Sequence, residues 1–90
     1  MKFVLIEVQE RNICEPAFFD TQQEAFDEMC SRFAKTMGVT VEAAILEYYI
    51  PDNEAEESCI LSTQAWTERY GKNFDWEIFE LDIDICSSAV

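Results

Sequence analysis

The sequence predicts an α+β fold: one small two-layer domain over residues 1–90, with an antiparallel sheet of three or four strands and one main amphipathic helix packed on one face. Three observations carry that expectation. Residues 2–10, KFVLIEVQE, alternate at the two-residue period of a strand. Residues 21–37 repeat apolar side chains at the helical period. The run NFDWEIFELDIDI near the C-terminus is rich in aromatic and β-branched residues.

In the first strand Val4, Ile6 and Val8 share one face, while Phe3 and Leu5 are apolar on the other before Glu7 and Gln9 take over. A strand apolar on both sides belongs near the centre of a sheet. ERN at 10–12 supplies a turn, and ICEPAFF at 13–19 returns as a short second strand. Pro16 confines that strand to an edge because it has no N–H for a ladder.

The helix opens with a capping box, Thr21 followed three residues later by Glu24. Ala25, Phe26, Met29, Cys30, Phe33, Ala34 and Met37 form its apolar stripe. Glu28 and Arg32 are spaced for an i,i+4 ion pair, and Gly38 supplies the left-handed cap that ends it. These Phe and Met side chains read as core rather than as a ligand site.

Residues 40–49, TVEAAILEYY, fit a short helix capped by Thr40, with a strand near 45–50 as the competing reading. Residues 52–58, DNEAEES, read as a loop. CILSTQAWTERY is expected to be a strand turning at GKN into the last strand, with a short helix over 63–70 as the alternative.

The last strand does not keep one parity. Trp76 and Ile78 are even, whereas Phe79, Leu81, Ile83 and Ile85 are odd. Either a bulge near Ile78–Phe79 resets the phase, or Phe74, Trp76 and Ile78 face a second layer or a partner. On both readings Glu80, Asp82 and Asp84 share an outward face, about 6.6 Å apart along the strand from a rise of about 3.3 Å per residue.

Charge is the outlier of the composition. Nineteen acids against six bases give −13. Residues 1–45 hold eight acids and four bases, net −4; residues 46–90 hold eleven and two, net −9. Such a surface repels phosphate and disfavours direct contact with nucleic acid or an anionic membrane. It suits a basic protein partner, or it serves solubility alone. The partner-binding candidates are therefore Glu77, Glu80, Asp82 and Asp84 on the strand, Glu54, Glu56 and Glu57 in the loop, and Trp76 beside them. The row of carboxylates would crudely imitate a phosphate backbone.

Several functions are disfavoured. The chain has no His, the commonest general acid–base residue. It has no GxSxG elbow and only two Gly, too few for a phosphate-cradling loop. A non-enzymatic protein without cofactor is expected. Cys14, Cys30, Cys59 and Cys86 include no CxxC pair, so core packing explains them better than zinc. Residues 52–57 offer oxygen ligands, but Glu57 stands where an EF-hand needs Gly, so a solvated loop is the better reading. MKFVLIEVQE lacks the apolar run of a signal peptide, no stretch reaches the ~20 residues of a membrane span, and a cytoplasmic protein with reduced thiols is expected.

The arrangement MKF–strand–AFFDTQQEA–helix, together with QAW…NFDWEIFEL, resembles short uncharacterised proteins of gut Firmicutes, their phages and mobile elements. The likeness covers most of the chain except 38–57, and its matching residues are structural. It implies a setting in which an acidic inhibitor of host defence, occupying the basic nucleic-acid site of a host protein, is an expectation. The alternative is a homo-oligomeric interaction module, such as a homodimer formed through apolar contacts.

Overall fold

The computed structural model describes residues 2–49, 58–69 and 71–81. The chain is α+β; its described residues form a six-stranded antiparallel sheet and two helices. Strand β1 spans Lys2–Gln9, β2 Asn12–Ile13, β3 Ala17–Phe19, β4 Cys59–Ile60, β5 Gln64–Arg69 and β6 Lys72–Leu81; α1 spans Gln22–Met37 and α2 Val41–Tyr48. The sheet order is β2-β1-β6-β5-β4, and β3 pairs β1 beside β2.

The expected three or four strands become six because two strands are each split. Pro16 falls between β2 and β3, so the edge segment pairs β1 in two short pieces. The segment expected as a single strand before the last hairpin folds back on itself. Cys59 and Ile60 pair Trp66 and Ala65, and the Leu61 N–H donates to the Gln64 carbonyl at 2.6 Å. Within 63–70, Gln64–Arg69 is strand, not helix.

Helix α1 forms as its sequence dictates. The Thr21 hydroxyl accepts from the Glu24 N–H at 3.1 Å and the Glu24 carboxylate accepts from the Thr21 N–H at 3.1 Å, completing the box. Gly38 closes the helix at φ +76°, a conformation in which a Cβ is costly. Thr40 caps α2 by accepting from the Ala43 N–H at 3.2 Å, so residues 40–49 are helical until Tyr49, which bridges Ile60 in parallel.

Both helices cover the same side of the sheet. Ala25, Met29, Cys30, Phe33 and Ala34 of α1 and Ala44 of α2 meet Leu5, Ile60, Ala65, Trp76 and Ile78 of the strands. The Phe33 ring lies 5.9 Å from Trp76 and 5.3 Å from Tyr48, centroid to centroid. Burying a side chain of this size stabilises the fold by roughly 1.5–3 kcal/mol.

The register of β6 is unbroken against both neighbours, from Lys2↔Leu81 to Gln9↔Phe74 and from Gln64↔Glu77 to Arg69↔Lys72. No bulge resets its phase. Consequently Phe74, Trp76 and Ile78 face the helix layer, while Asp75, Glu77, Phe79 and Leu81 face the other way. Trp76 is 2% exposed; it is a core residue and cannot meet a partner, which corrects its placement among the binding candidates. On β1 the same parity puts Phe3, Leu5, Glu7 and Gln9 under the helices and Val4, Ile6 and Val8 on the opposite face.

Candidate functional site: the open face of the sheet

No described element packs on that opposite face. Its apolar residues come from five strands: Val4, Ile6 and Val8 of β1, Phe79 and Leu81 of β6, Trp66 of β5, Cys59 of β4 and Phe18 of β3; of these Val4, at 7% exposure, and Cys59, at 0%, are buried. Ile13 of β2 joins them through its pairing with Val8. Ile13 is 72% exposed, Phe18 63% and Phe79 45%. Scattered exposed apolar residues are ordinary, but a group on one sheet face marks a contact surface.

Cross-strand pairing orders this surface. Ile6, Glu77 and Gln64 lie abreast in one row, and Val8, Asp75 and Trp66 lie abreast in the next. Directly opposed residues in such rows have Cβ atoms about 4.5–5.5 Å apart. Asp75 and Glu77 thus form a central acidic stripe, with aliphatic side chains on the β1 side and an indole on the β5 side. Ile6, Val8, Trp66, Phe79 and the two carboxylates line a shallow depression of about 200 Å³. Glu68 extends the acidic stripe beyond Trp66 on the same face, abreast of Asn73.

Of the acids expected to bind a partner, only Glu77 and Glu80 lie among the described residues; the expected row of Glu80, Asp82 and Asp84 is described only at Glu80. Glu77 lies on the open face. Glu80, abreast of Phe3, lies on the helix-side face and is exposed. The two do not share a surface. Asp82, Asp84, Glu54, Glu56 and Glu57 lie outside the described residues. Sequence reading missed Asp75, the second member of the central pair. Its parity with Glu77 was the available signal, and it holds with or without a bulge near Ile78–Phe79.

The helix-side face carries one further polar cluster. Glu7 is buried beneath α1, where the Arg32 Nη1 donates to it at 3.0 Å and Gln9 also donates. Arg32 Nε reaches Glu28 at 2.8 Å, the expected i,i+4 pair. Burial alone would push the Glu7 carboxyl up, but the hydrogen bonds from Gln9 and Arg32 and the charge of Arg32 together hold it below its usual value. The Trp76 indole N–H faces the same carboxylate at a geometry short of a full hydrogen bond. Cys14 donates weakly to it from 3.8 Å.

Among the described residues no group of three or more His, Cys, Asp or Glu is disposed to hold a metal ion, and no helix is long and apolar enough to cross a membrane. No protein-family model, curated protein or solved structure matches the chain.

Proposed function

We propose that this chain is a non-enzymatic acidic binding protein whose open sheet face receives a basic segment of a protein partner. The observation that carries the reading is the central Asp75–Glu77 stripe set among Ile6, Val8, Trp66 and Phe79. Lysine and arginine have apolar stems and cationic heads. Their stems suit the aliphatic and aromatic flanks, their heads suit the carboxylates, and an arginine over Trp66 gains a cation–π contact. A second copy suits the face less well. Stacking two such faces would bring acidic stripes together, between chains that each carry −13. The partner class we propose is a nucleic-acid-binding protein, because such proteins concentrate Lys and Arg on one surface. The inhibitory role against a host protein belongs to the same proposal.

The test is a charge-matched pair of variants. Glu77→Lys and Glu80→Lys change the net charge equally but lie on opposite faces. A partner is first captured with the tagged protein from a nuclease-treated lysate, then purified, and its affinity is measured for both variants at low and high salt. Glu77→Lys is expected to weaken binding at least tenfold and Glu80→Lys to leave it within a factor of about two, since rim charges contribute little. Equal losses would mean that only bulk charge matters and would overturn the assignment to this face. Sedimentation of the free protein decides the rival reading: self-association that persists at high salt would favour a homo-oligomeric module, since hydrophobic contact is not screened.

A further inference from the structure

The open face changes character along its strands. At one end Phe18, Val4 and Phe79 lie abreast across β3, β1 and β6. Phe18 is 63% exposed and Phe79 45%, while Val4 between them is buried. At the other end stand Asp75 and Glu68, both exposed, and Glu77 lies between the two ends. We propose that the partner segment received here is a single amphipathic α-helix of about three to four turns. It lies along β6, with an apolar anchor over Phe18 and Phe79 and its Lys or Arg residues over Glu77, Asp75 and Glu68. This inference rests on the reading of the face as a site for a basic segment; it adds that segment's fold and the order of its residues.

The main chain of the sheet selects the helix. β1 pairs β2 and β3 on one side and β6 on the other, and β6 lies between β1 and β5. The central strands have their backbone groups engaged in these ladders, so strand addition, which needs an edge, is closed at this site. An extended segment laid across the face would lose its backbone freedom without one main-chain hydrogen bond in return. A helix makes those bonds within itself and docks through side chains alone.

Spacing agrees. Along β6, Glu77 lies two residues from Phe79, Asp75 four, and Asn73, abreast of Glu68, six. At about 3.3 Å per residue these positions are roughly 7, 13 and 20 Å from the aromatic row. On a helix, positions i+4, i+7 and i+11 share a face with i and stand about 6, 10.5 and 16.5 Å along the axis. The flexible stems of Lys and Arg cover the remaining few ångströms.

Charge names the kind of partner. Glu68, Asp75 and Glu77 enter no ion pair among the described residues, so a row of cations answers them. A second copy of the chain does not present one. α1 holds three acids against two bases, and α2 two acids and no base. The occupant is therefore a helix of a basic protein.

The test uses two peptides on the whole chain. One is a stapled helix with Leu at i, Lys at i+4, i+7 and i+11, and Ala elsewhere. The other has the same Leu and Lys residues but no staple and a central Pro, which breaks the helix without changing the charge. Amide chemical-shift titration should show saturable binding of the helical peptide, with shifts running from Val4 and Phe79 to Asp75 and Glu68. The proline peptide should bind at least tenfold more weakly. Phe18→Ser, an exposed change that leaves the melting temperature in place, should weaken the helical peptide about fivefold and keep its salt dependence. Equal affinity of the two peptides, or no loss in Phe18→Ser, would overturn the docked helix and leave the basic-segment reading standing. Failure of both peptides to bind, or binding that Glu77→Lys does not weaken, would overturn the inference together with the reading beneath it.

Discussion

Replacing Arg32 with Met isolates the interaction that ties α1 to the middle of the sheet. The Glu7 side chain is 12% exposed and that of Arg32 27%, so the variant strands a carboxylate in a site with little water. Removing one partner of a fully buried pair costs about 3–5 kcal/mol, most of it the penalty of the orphaned charge. Here a quarter of the arginine reaches solvent and Gln9 still donates, which lowers the figure to roughly 2–3 kcal/mol. The accompanying loss of the half-exposed Glu28 pair adds only about 0.3–0.5 kcal/mol. For a chain of this size the melting temperature should fall by roughly 10–20 °C. Thermal and urea unfolding followed by circular dichroism measure it, with Glu7→Gln/Arg32→Met as the companion. That double variant leaves no buried charge and should recover most of the loss.

The pH dependence gives the sign. In the native chain the Glu7 pKa lies below its ordinary value, so its contribution is present in full above the unfolded pKa near 4.5 and is lost as pH falls through the lower folded value. In Arg32→Met burial is unopposed by the arginine, the folded pKa rises, and the variant gains stability on acidification. The gap between the two proteins should be widest at neutral pH and narrow steadily below it. Taking the difference cancels the general relief of acidic repulsion. A variant within about 0.5 kcal/mol of the native chain, or a double variant no better than the single, would refute the reasoning.

Other expectations follow from single contacts. Glu10 and Arg11 occupy φ +49° and +75°, the tight hairpin conformation that favours Gly; Arg11→Gly should raise stability by about 0.5–1 kcal/mol in urea unfolding, and a loss of stability would contradict this. Thr21→Ala removes the reciprocal cap of α1 and should cost about 1 kcal/mol in the same assay. Burial, with a smaller effect of Asp27, pushes the Cys30 thiol up to about 11, so native protein at pH 8 should leave Cys30 unalkylated while unfolded protein reacts fully, as peptide mass mapping would show.

The helix was legible because every local signal agreed: capping box, apolar stripe, ion-pair spacing and terminal glycine all act within a few residues. The sheet was less so, because strand faces are assigned by what lies across them. Val4, Ile6 and Val8 look like the helix-facing side of β1, yet the helices cover Leu5 and Glu7; Val4 is buried on the other face and Ile6 and Val8 are half-buried there. Glu7 reads as a surface residue until Arg32, twenty-five positions away, is brought over it. Trp76 and Phe79 have opposite fates despite similar composition, since an unbroken register separates them by parity, and only pairing with β1 and β5 shows that register. The six strands exceeded the expected number where Pro16 and the turn at Leu61–Thr63 divided segments whose β character had been read correctly.

Amide chemical-shift mapping of the labelled protein against a lysine-leucine amphipathic peptide tests the central claim most directly. Shifts confined to Ile6, Val8, Trp66, Asp75, Glu77 and Phe79, absent in Glu77→Lys, are the expected result. Shifts concentrated on α1 or around Glu80, or none at all, would contradict the assignment of binding to the open face.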